Sequence, residues 1–382
     1  MSRAICGDAE LAEALRVGAH RAYSLFVVAR RMTRFLGENL RHVRHLYVDN
    51  KSITTLEVPG DVHLVDASMS PRLCAVRLLG RVHTLDLSCC PEIDDASDLG
   101  AVHTLSLEAT RVTDVSALSR VRTLNISRTD VVDVSALGAI GHADGGVHTL
   151  NLSWCTRLVD VSALARVHTL NLSWCTGLVD VSALGGTGRA SVGAVHTLKL
   201  VGCTGIRDVS ALSRVHTLDL SWCAGVQDVS ALSIGYANGG VHTLTLRGCT
   251  GVRDVSALSR VHTLDLSCCP DIDDVSALGA VHTLSLECCY GVRDVSDLGS
   301  VHTLSLECCR GVRDVSELGS VHTLNLSYCT GVQDVSALSR VRELALRGCT
   351  GVRDVSALSI GRANGAGSVS VGVRKLVLPG GQ

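Results

Sequence analysis

From residue 43 onward one arrangement of apolar and polar positions recurs along the chain, as in VHTLNLSWCTGLVDVSAL at 167–184. With the leading Val as position 1, units begin at Val43, Val62, Val82, Val102, Val121, Val147, Val167, Val195, Val215, Val241, Val261, Val281, Val301, Val321 and Val341, and a half-unit begins at Val373. From Val241 to Val341 the step is always 20 residues, and a fixed period of that size predicts a solenoid. Within a unit, positions 1, 4, 6, 12, 15 and 18 are apolar. Positions 4 and 6 alternate with polar 3, 5 and 7, which predicts a short strand with one buried face. The Cys-x-Gly of many units is a turn signal, and the Asp-Val-Ser-Ala-Leu after it is too short for a full helix. Each rung is therefore expected to be a strand, a turn and a tight return segment. Rungs stacked in register make a parallel sheet, and no rung buries its leucines without neighbours.

VHTLNLSWCTGL resembles the leucine-rich-repeat pattern LxxLxLxxCxxL, with Val in place of the first Leu. The Cys form is similar to cysteine-containing repeats found behind F-boxes, and LVDVSAL is similar to the internalin-type repeat. The unit of 20 residues is shorter than in either relative. Val102 and Val121 begin 19-residue patterns in which Thr110 and Thr129 replace Cys. The resemblance implies an α/β solenoid: a right-handed leucine-rich-repeat superhelix with one parallel β-sheet, short non-helical return segments and a helical N-terminal cap. It also implies protein binding as the activity. The expected domains are a cap over 1–42 and a solenoid over 43–382, with about 15 full repeats plus the terminal half-repeat.

Composition narrows the classes. Aromatic residues make up only 3% of the chain and both phenylalanines, Phe26 and Phe35, precede the repeats, so the core of the array is expected to be aliphatic. A net charge of −2 argues against a general nucleic-acid binder. No run of 18 apolar residues suggests a membrane span, and acids near the start argue against a secretory signal. The cysteine count, 17, is odd, and most copies fall at one repeat position. Reduced thiols in a cytoplasmic protein are the expectation.

The recurring polar residues read as construction. Cysteines at position 9, such as Cys155, Cys175 and Cys249, are expected to turn inward as small hydrophobes. Twelve histidines fill position 2, from His63 to His322, and interchange there with Arg122 and Arg342. So many equivalent copies describe a ladder at the lip of the sheet rather than a metal site. Thirteen aspartates precede the return segment, as Asp180 and Asp254 do. These fit turn capping, because one carboxylate per rung supplies too few oxygens for calcium. Position 8 carries a file of Cys268, Cys288 and Cys308, with Cys89 earlier. Parallel in-register side chains suit a disulfide dihedral poorly, and the file reads as drift from Gly or Trp, with metal or redox function as the alternative.

The varying positions are the candidates for binding. Position 8 holds Trp154, Trp174, Trp222 and Tyr328, and exposed aromatics on a rigid surface make good anchors. Glu287 and Glu307 contribute charge on the same face. Insertions IGHADGG at 140–146, IGYANGG at 234–240, IGRANGAG at 360–367 and GGTGRASVGA at 185–194 should protrude along one sheet edge.

At the N-terminus, Asp8 could cap a helix over 9–18, and Leu25, Val28, Met32 and Phe35 form a helical stripe over 22–36. VVARRMTRFL is also faintly similar to the last helix of an F-box. At the other end, VRKLVLPGGQ adds a strand and leaves an open edge through which two molecules could meet. The sequence thus reads as a non-enzymatic scaffold that binds a protein partner through the sheet face and its rim. It implies no catalytic residue, cofactor, metal, nucleic acid or membrane. The alternative is an F-box-like substrate adaptor of a ubiquitin ligase, its N-terminal helices recruiting the ligase and its repeats the substrate.

Overall fold

The computed structural model describes residues 24–27, 45–48, 53–58, 62–78, 82–138, 146–186, 195–233, 240–358 and 375–377. The chain forms two compact units, one of residues 1–178 with 192–195 and one of 179–191 with 196–382. In the second unit, strands Thr197–Lys199, Thr217–Asp219, Thr243–Thr245, Thr263–Asp265, Thr283–Ser285, Thr303–Ser305, Thr323–Asn325, Glu343–Ala345 and Lys375–Val377 pair in parallel. The register is set by the repeat: Leu244 pairs with Leu264, and Leu264 with Leu284. A one-residue slip would turn every leucine to solvent, so the alternation fixes the pairing.

One rung shows how the pattern becomes structure. Leu244, Leu246, Cys249, Val252 and Leu258 are fully buried, and Val241 and Val255 nearly so. Each buried leucine or valine contributes about 1.5–3 kcal/mol. The backbone ladder continues past the three-residue strand. Leu246 N–H donates to the Asp265 carbonyl and Gly248 N–H to that of Ser267, both at 2.8 Å in the following rung. The return segment Ser256–Arg260 is a 3-10 helix, and Val261 N–H closes it on the Leu258 carbonyl at 3.0 Å. A 3-10 helix rises about 2.0 Å per residue against 1.5 Å in an α-helix. Five residues then reach the next strand while turning only Leu258 inward. Asp254 Oδ1 accepts the Ser256 N–H at 2.9 Å and starts the turn, and the same bond recurs from Asp95 to Asp354.

The first unit follows the same plan. Its sheet runs through Ser24–Val27, His45–Val48, Leu64–Asp66, Thr84–Asp86, Thr104–Ser106, Thr123–Asn125, Thr149–Asn151 and Thr169–Asn171, all parallel. A second, two-stranded parallel sheet joins Thr55–Val58 to Ala75–Leu78. Those segments occupy the return side of early units that lack Asp-Val-Ser-Ala-Leu. Their alternating TLEV and AVRL extend instead of winding into a 3-10 turn.

Two expectations need correction. No α-helix exists among the described residues, so the helical half of the α/β assignment is replaced by 3-10 turns. The helical N-terminal cap is not supported either. Within the stripe expected over 22–36, Ser24–Val27 is a strand in register with His45–Val48. Leu-Phe-Val is β-prone, and pairing with a neighbouring strand outweighs a helical spacing that local sequence alone would favour. The helix expected over 9–18 and most of VVARRMTRFL lie outside the described residues. So do the four insertions, apart from a residue or two at their edges.

A candidate binding face and its rim

The open face of each sheet is built from positions 3, 5 and 7. Where position 5 is Asp or Asn and position 7 is Ser, the two side chains lock together. Ser173 donates its N–H and hydroxyl to Asn171 Oδ1 at 3.0 and 2.6 Å, and Ser221 does the same to Asp219. Ser267 donates to Asp265 in the same way. Where position 5 is Ser, position 7 is Glu, and the carboxylate reaches sideways to the next rung. Glu287 accepts from Ser305 Oγ at 3.1 Å and faces Arg247 at 3.8 Å, while Glu307 accepts from Asn325 Nδ2 at 3.0 Å. Both candidate glutamates are therefore held in place, so their charge is presented at defined points.

Position 8 departs most from the sequence reading. Every residue there among the described rungs adopts the left-handed backbone region. Non-glycine φ values run from 56° at Ala109 to 65° at Trp154, and Gly202, Gly248 and Gly348 take 71°, 70° and 68°. The scaffold therefore does constrain this position, and it favours glycine. The signal in the sequence was the glycine recurring at 202, 248 and 348, which marks the one position where a Cβ is disfavoured. A bulky residue there is a conformational outlier with a cost of roughly 1–2 kcal/mol.

The large residues at this position stay accessible: Trp154 is 45% exposed, Trp174 37%, Trp222 49% and Tyr328 39%. In the first unit Trp154 and Trp174 stack, with ring centroids 4.9 Å apart and planes 13° from parallel. The Arg128 guanidinium lies 5.8 Å from the Trp154 ring centroid and 3.7 Å from Glu108, which extends the platform with charge. In the second unit Trp222 and Tyr328 each lie over a glycine. A Cβ on Gly248 would come within 2.5 Å of the Trp222 ring, and one on Gly348 within 2.4 Å of Tyr328. Arg347 lies 6.0 Å from the Tyr328 ring centroid. The aromatic candidates thus divide between the two units, a stacked pair in one and two glycine-seated rings in the other.

The opposite rim carries the histidine ladder. Rings from His196 to His322 stack with centroids 4.5–4.9 Å apart, and a shorter stack joins His63, His83 and His103. Except at His63, which Leu64 follows, each Nδ1 lies 3.2–3.4 Å from the hydroxyl of the threonine after it, as at His262 and Thr263. Arg342 Nη1 lies 3.3 Å from His322 Nε2, which places the His322 proton on Nδ1. Partial desolvation and then the neighbouring ring push His83, His168, His216, His262 and His302 below the usual imidazole value.

The position 9 cysteines are buried thiols. Sγ of Cys269 donates to the Leu246 carbonyl of the preceding rung at 3.2 Å, and Cys289 reaches Leu266 at 3.1 Å. The same Leu246 carbonyl accepts the Cys249 N–H at 3.0 Å, so both of its lone pairs are used. Burial raises the thiols, Cys269 to about 11 and Cys249 and Cys309 to about 12, which makes them poor nucleophiles at neutral pH. On the return side of the second unit an open groove of about 930 Å³ lies beside Tyr290, Arg293, Arg310 and Asp314 and mixes both signs of charge. Among the described residues no group of three or more His, Cys, Asp or Glu converges on a metal position. Nor is any described helix long and apolar enough to cross a membrane.

No protein-family model matches the sequence, and no curated protein matches it. Solved structures do. A complex of TLR13 with ssRNA13 is similar at 18% identity with a TM-score of 0.51, over 86% of this chain and 56% of that one. The chain thus spans little more than half the length of TLR13. The functional domain of InlJ from Listeria monocytogenes, which includes a cysteine ladder, is similar at 17% identity and TM-score 0.42, over 80% of this chain and 67% of that one. An LRR protein of Leptospira interrogans is similar at 13% identity and TM-score 0.44, over 90% and 94%.

Proposed function

Given a leucine-rich-repeat fold, we propose that this chain is a protein-binding scaffold whose contact surfaces are the sheet face and its position 8 rim. The observation that carries this reading is the placement of Trp154, Trp174, Trp222 and Tyr328. Large, accessible aromatic rings occupy a left-handed backbone position that glycine fills elsewhere in the array at lower cost. Accessible aromatic rings of this kind are the residues that dominate interface energetics. Glu287 and Glu307, fixed by their neighbours, set the charge a partner must match near the second unit's rings. TLR13 was solved with a single-stranded RNA. Here the net charge of −2 and the glutamates on the face oppose a phosphate backbone, so a protein is the better-matched partner. An F-box-like adaptor would need helices within 1–42, and the part of that segment described is a strand.

The test is partner capture by the full chain against a variant with Trp154, Trp174 and Trp222 replaced by glycine. Glycine removes the rings and suits the backbone, so folding is preserved. Each lost anchor should weaken binding by about 2 kcal/mol, or roughly thirtyfold. Unchanged capture by the folded triple variant would refute the assignment.

A further inference from the structure

Three successive rungs of the second unit place Cys268, Cys288 and Cys308 at position 8, with φ values of 60°, 58° and 62°. Equal backbone conformations on stacked rungs make the three Cα–Cβ bonds parallel. The rungs are bonded directly at this position: Cys268 N–H donates to the Glu287 carbonyl at 2.7 Å, and Cys288 N–H to that of Glu307 at 2.8 Å. Neighbouring strands stand about 4.7–4.9 Å apart, so in-register Cβ atoms at this position are spaced by about that distance. The three thiols are partly exposed and none is in a disulfide.

That spacing chooses between chemistries. A disulfide needs its Cβ atoms about 3.5–4.5 Å apart, closer than in-register side chains at this position stand. A tetrahedral zinc site needs four converging ligands, and no convergent group of even three exists among the described residues. A metal bound in line between two sulfurs, each at a metal–thiolate distance of about 2.3 Å, needs them about 4.6 Å apart, close to the general strand spacing of about 4.7–4.9 Å. Soft, closed-shell monovalent cations are the ions suited to thiolate ligands in this arrangement.

We propose that Cys268, Cys288 and Cys308 form a binding site for a soft monovalent cation of the Cu(I) class, held linearly between the Cys288 thiolate and the thiolate of either neighbouring rung. Two thiols and one Cu(I) give one anionic dithiolate complex and two released protons, with no change of oxidation state. The complex carries one negative charge. Arg247 near Cys268 and Arg310 near Cys308 oppose that charge, while Asp265 near Cys268 and Glu307 beside Cys308 add to it. The Cys288 side chain is within hydrogen-bonding reach of both Cys268 and Cys308, and of Tyr290.

The middle cysteine belongs to both possible bridges, and this makes the test specific. Full-length protein is titrated anaerobically with Cu(I) supplied from a coloured chelator, alongside Cys268→Ser, Cys288→Ser and Cys308→Ser. Circular dichroism verifies that each variant is folded. Cys288→Ser should lose one tightly bound equivalent and its proton release. Cys268→Ser and Cys308→Ser should retain that equivalent, weakened only by the statistical factor for one bridge lost out of two. X-ray absorption on the bound Cu(I) should show two sulfur neighbours. Equal binding by Cys288→Ser and wild type, or equal loss in all three variants, would overturn the proposal, as would a coordination shell without paired sulfurs.

Discussion

Replacing Ala109 by glycine should stabilise the rung around it, although the same change normally weakens a protein. Ala109 sits at position 8 with φ of 56°. An L-residue held in the left-handed region costs roughly 1–2 kcal/mol, which glycine avoids. Glycine in turn loses more chain entropy on folding, a cost of about 0.5–1 kcal/mol. The net expectation is a gain of about 0.5–1 kcal/mol. Ala117, in the 3-10 turn Ser116–Arg120 of the same unit, has an ordinary negative φ, so Ala117→Gly carries only the entropic cost and should destabilise by about 0.5–1 kcal/mol. A thermal melt is the wrong assay. A chain of 382 residues has an unfolding entropy near 0.8 kcal/mol/K on the usual per-residue value, so either change would move Tm by only about 1 °C. Native-state hydrogen exchange reads the rung itself. The reporters are Leu107 N–H, bonded to the Asn125 carbonyl at 2.7 Å, and the backbone N–H of Ala109, bonded to that of Ser127 at 2.9 Å and kept when the side chain is removed. After correction for intrinsic rates, their exchange should slow by about two- to fivefold in Ala109→Gly and quicken in Ala117→Gly. If both variants speed exchange alike, the left-handed cost assigned to position 8 is wrong.

Other expectations follow from the ladders. Because the folded state holds His83, His168, His216, His262 and His302 below the unfolded imidazole value, they bind fewer protons when folded. Stability is therefore complete above about pH 6.5 and is lost as pH falls through the lowered values; a thermal midpoint unchanged between pH 7.5 and 5.5 would contradict this. The turn aspartates, Asp254 among them, are held below the usual carboxylate value by the Ser hydroxyl and N–H. Their contribution should persist to about pH 4 and fade below it, and Asp254→Ala should lower the denaturant midpoint. Leu264→Ala, in the centre of the second unit's sheet, should cost about 2–5 kcal/mol in equilibrium unfolding. Thiol-labelling kinetics on native protein should show Cys89 reacting while Cys249, Cys269 and Cys309 stay protected until the array opens.

Much of the architecture was legible in the chain because the repeat is its own control. Fifteen copies of one pattern separate what every rung uses from what a single rung carries, and this assigned His168, Cys175 and Asp180 to construction. The buried set at positions 1, 4, 6, 12, 15 and 18 came out as read. Residues 24–27 and the pair 55–58 and 75–78 were missed for the same reason: they precede or interrupt the regular period, where strand or helix depends on which neighbour offers backbone partners.

By itself the sequence determined the period, the inward face and the parallel register, since alternation and a fixed step leave one way to bury the leucines. Only the tertiary structure decided what position 8 is. A left-handed backbone turn has no single sequence signature when Trp, Cys, Tyr, Arg, Met, Ala and Gly all occupy it. Its geometry arises from stacking, because position 8 N–H groups, those of Trp154, Trp222 and Cys268 among them, are committed to the carbonyl of the next rung. The same stacking brings Trp154 onto Trp174 and lines up Cys268, Cys288 and Cys308, side chains 20 residues apart in sequence and one rung apart in space.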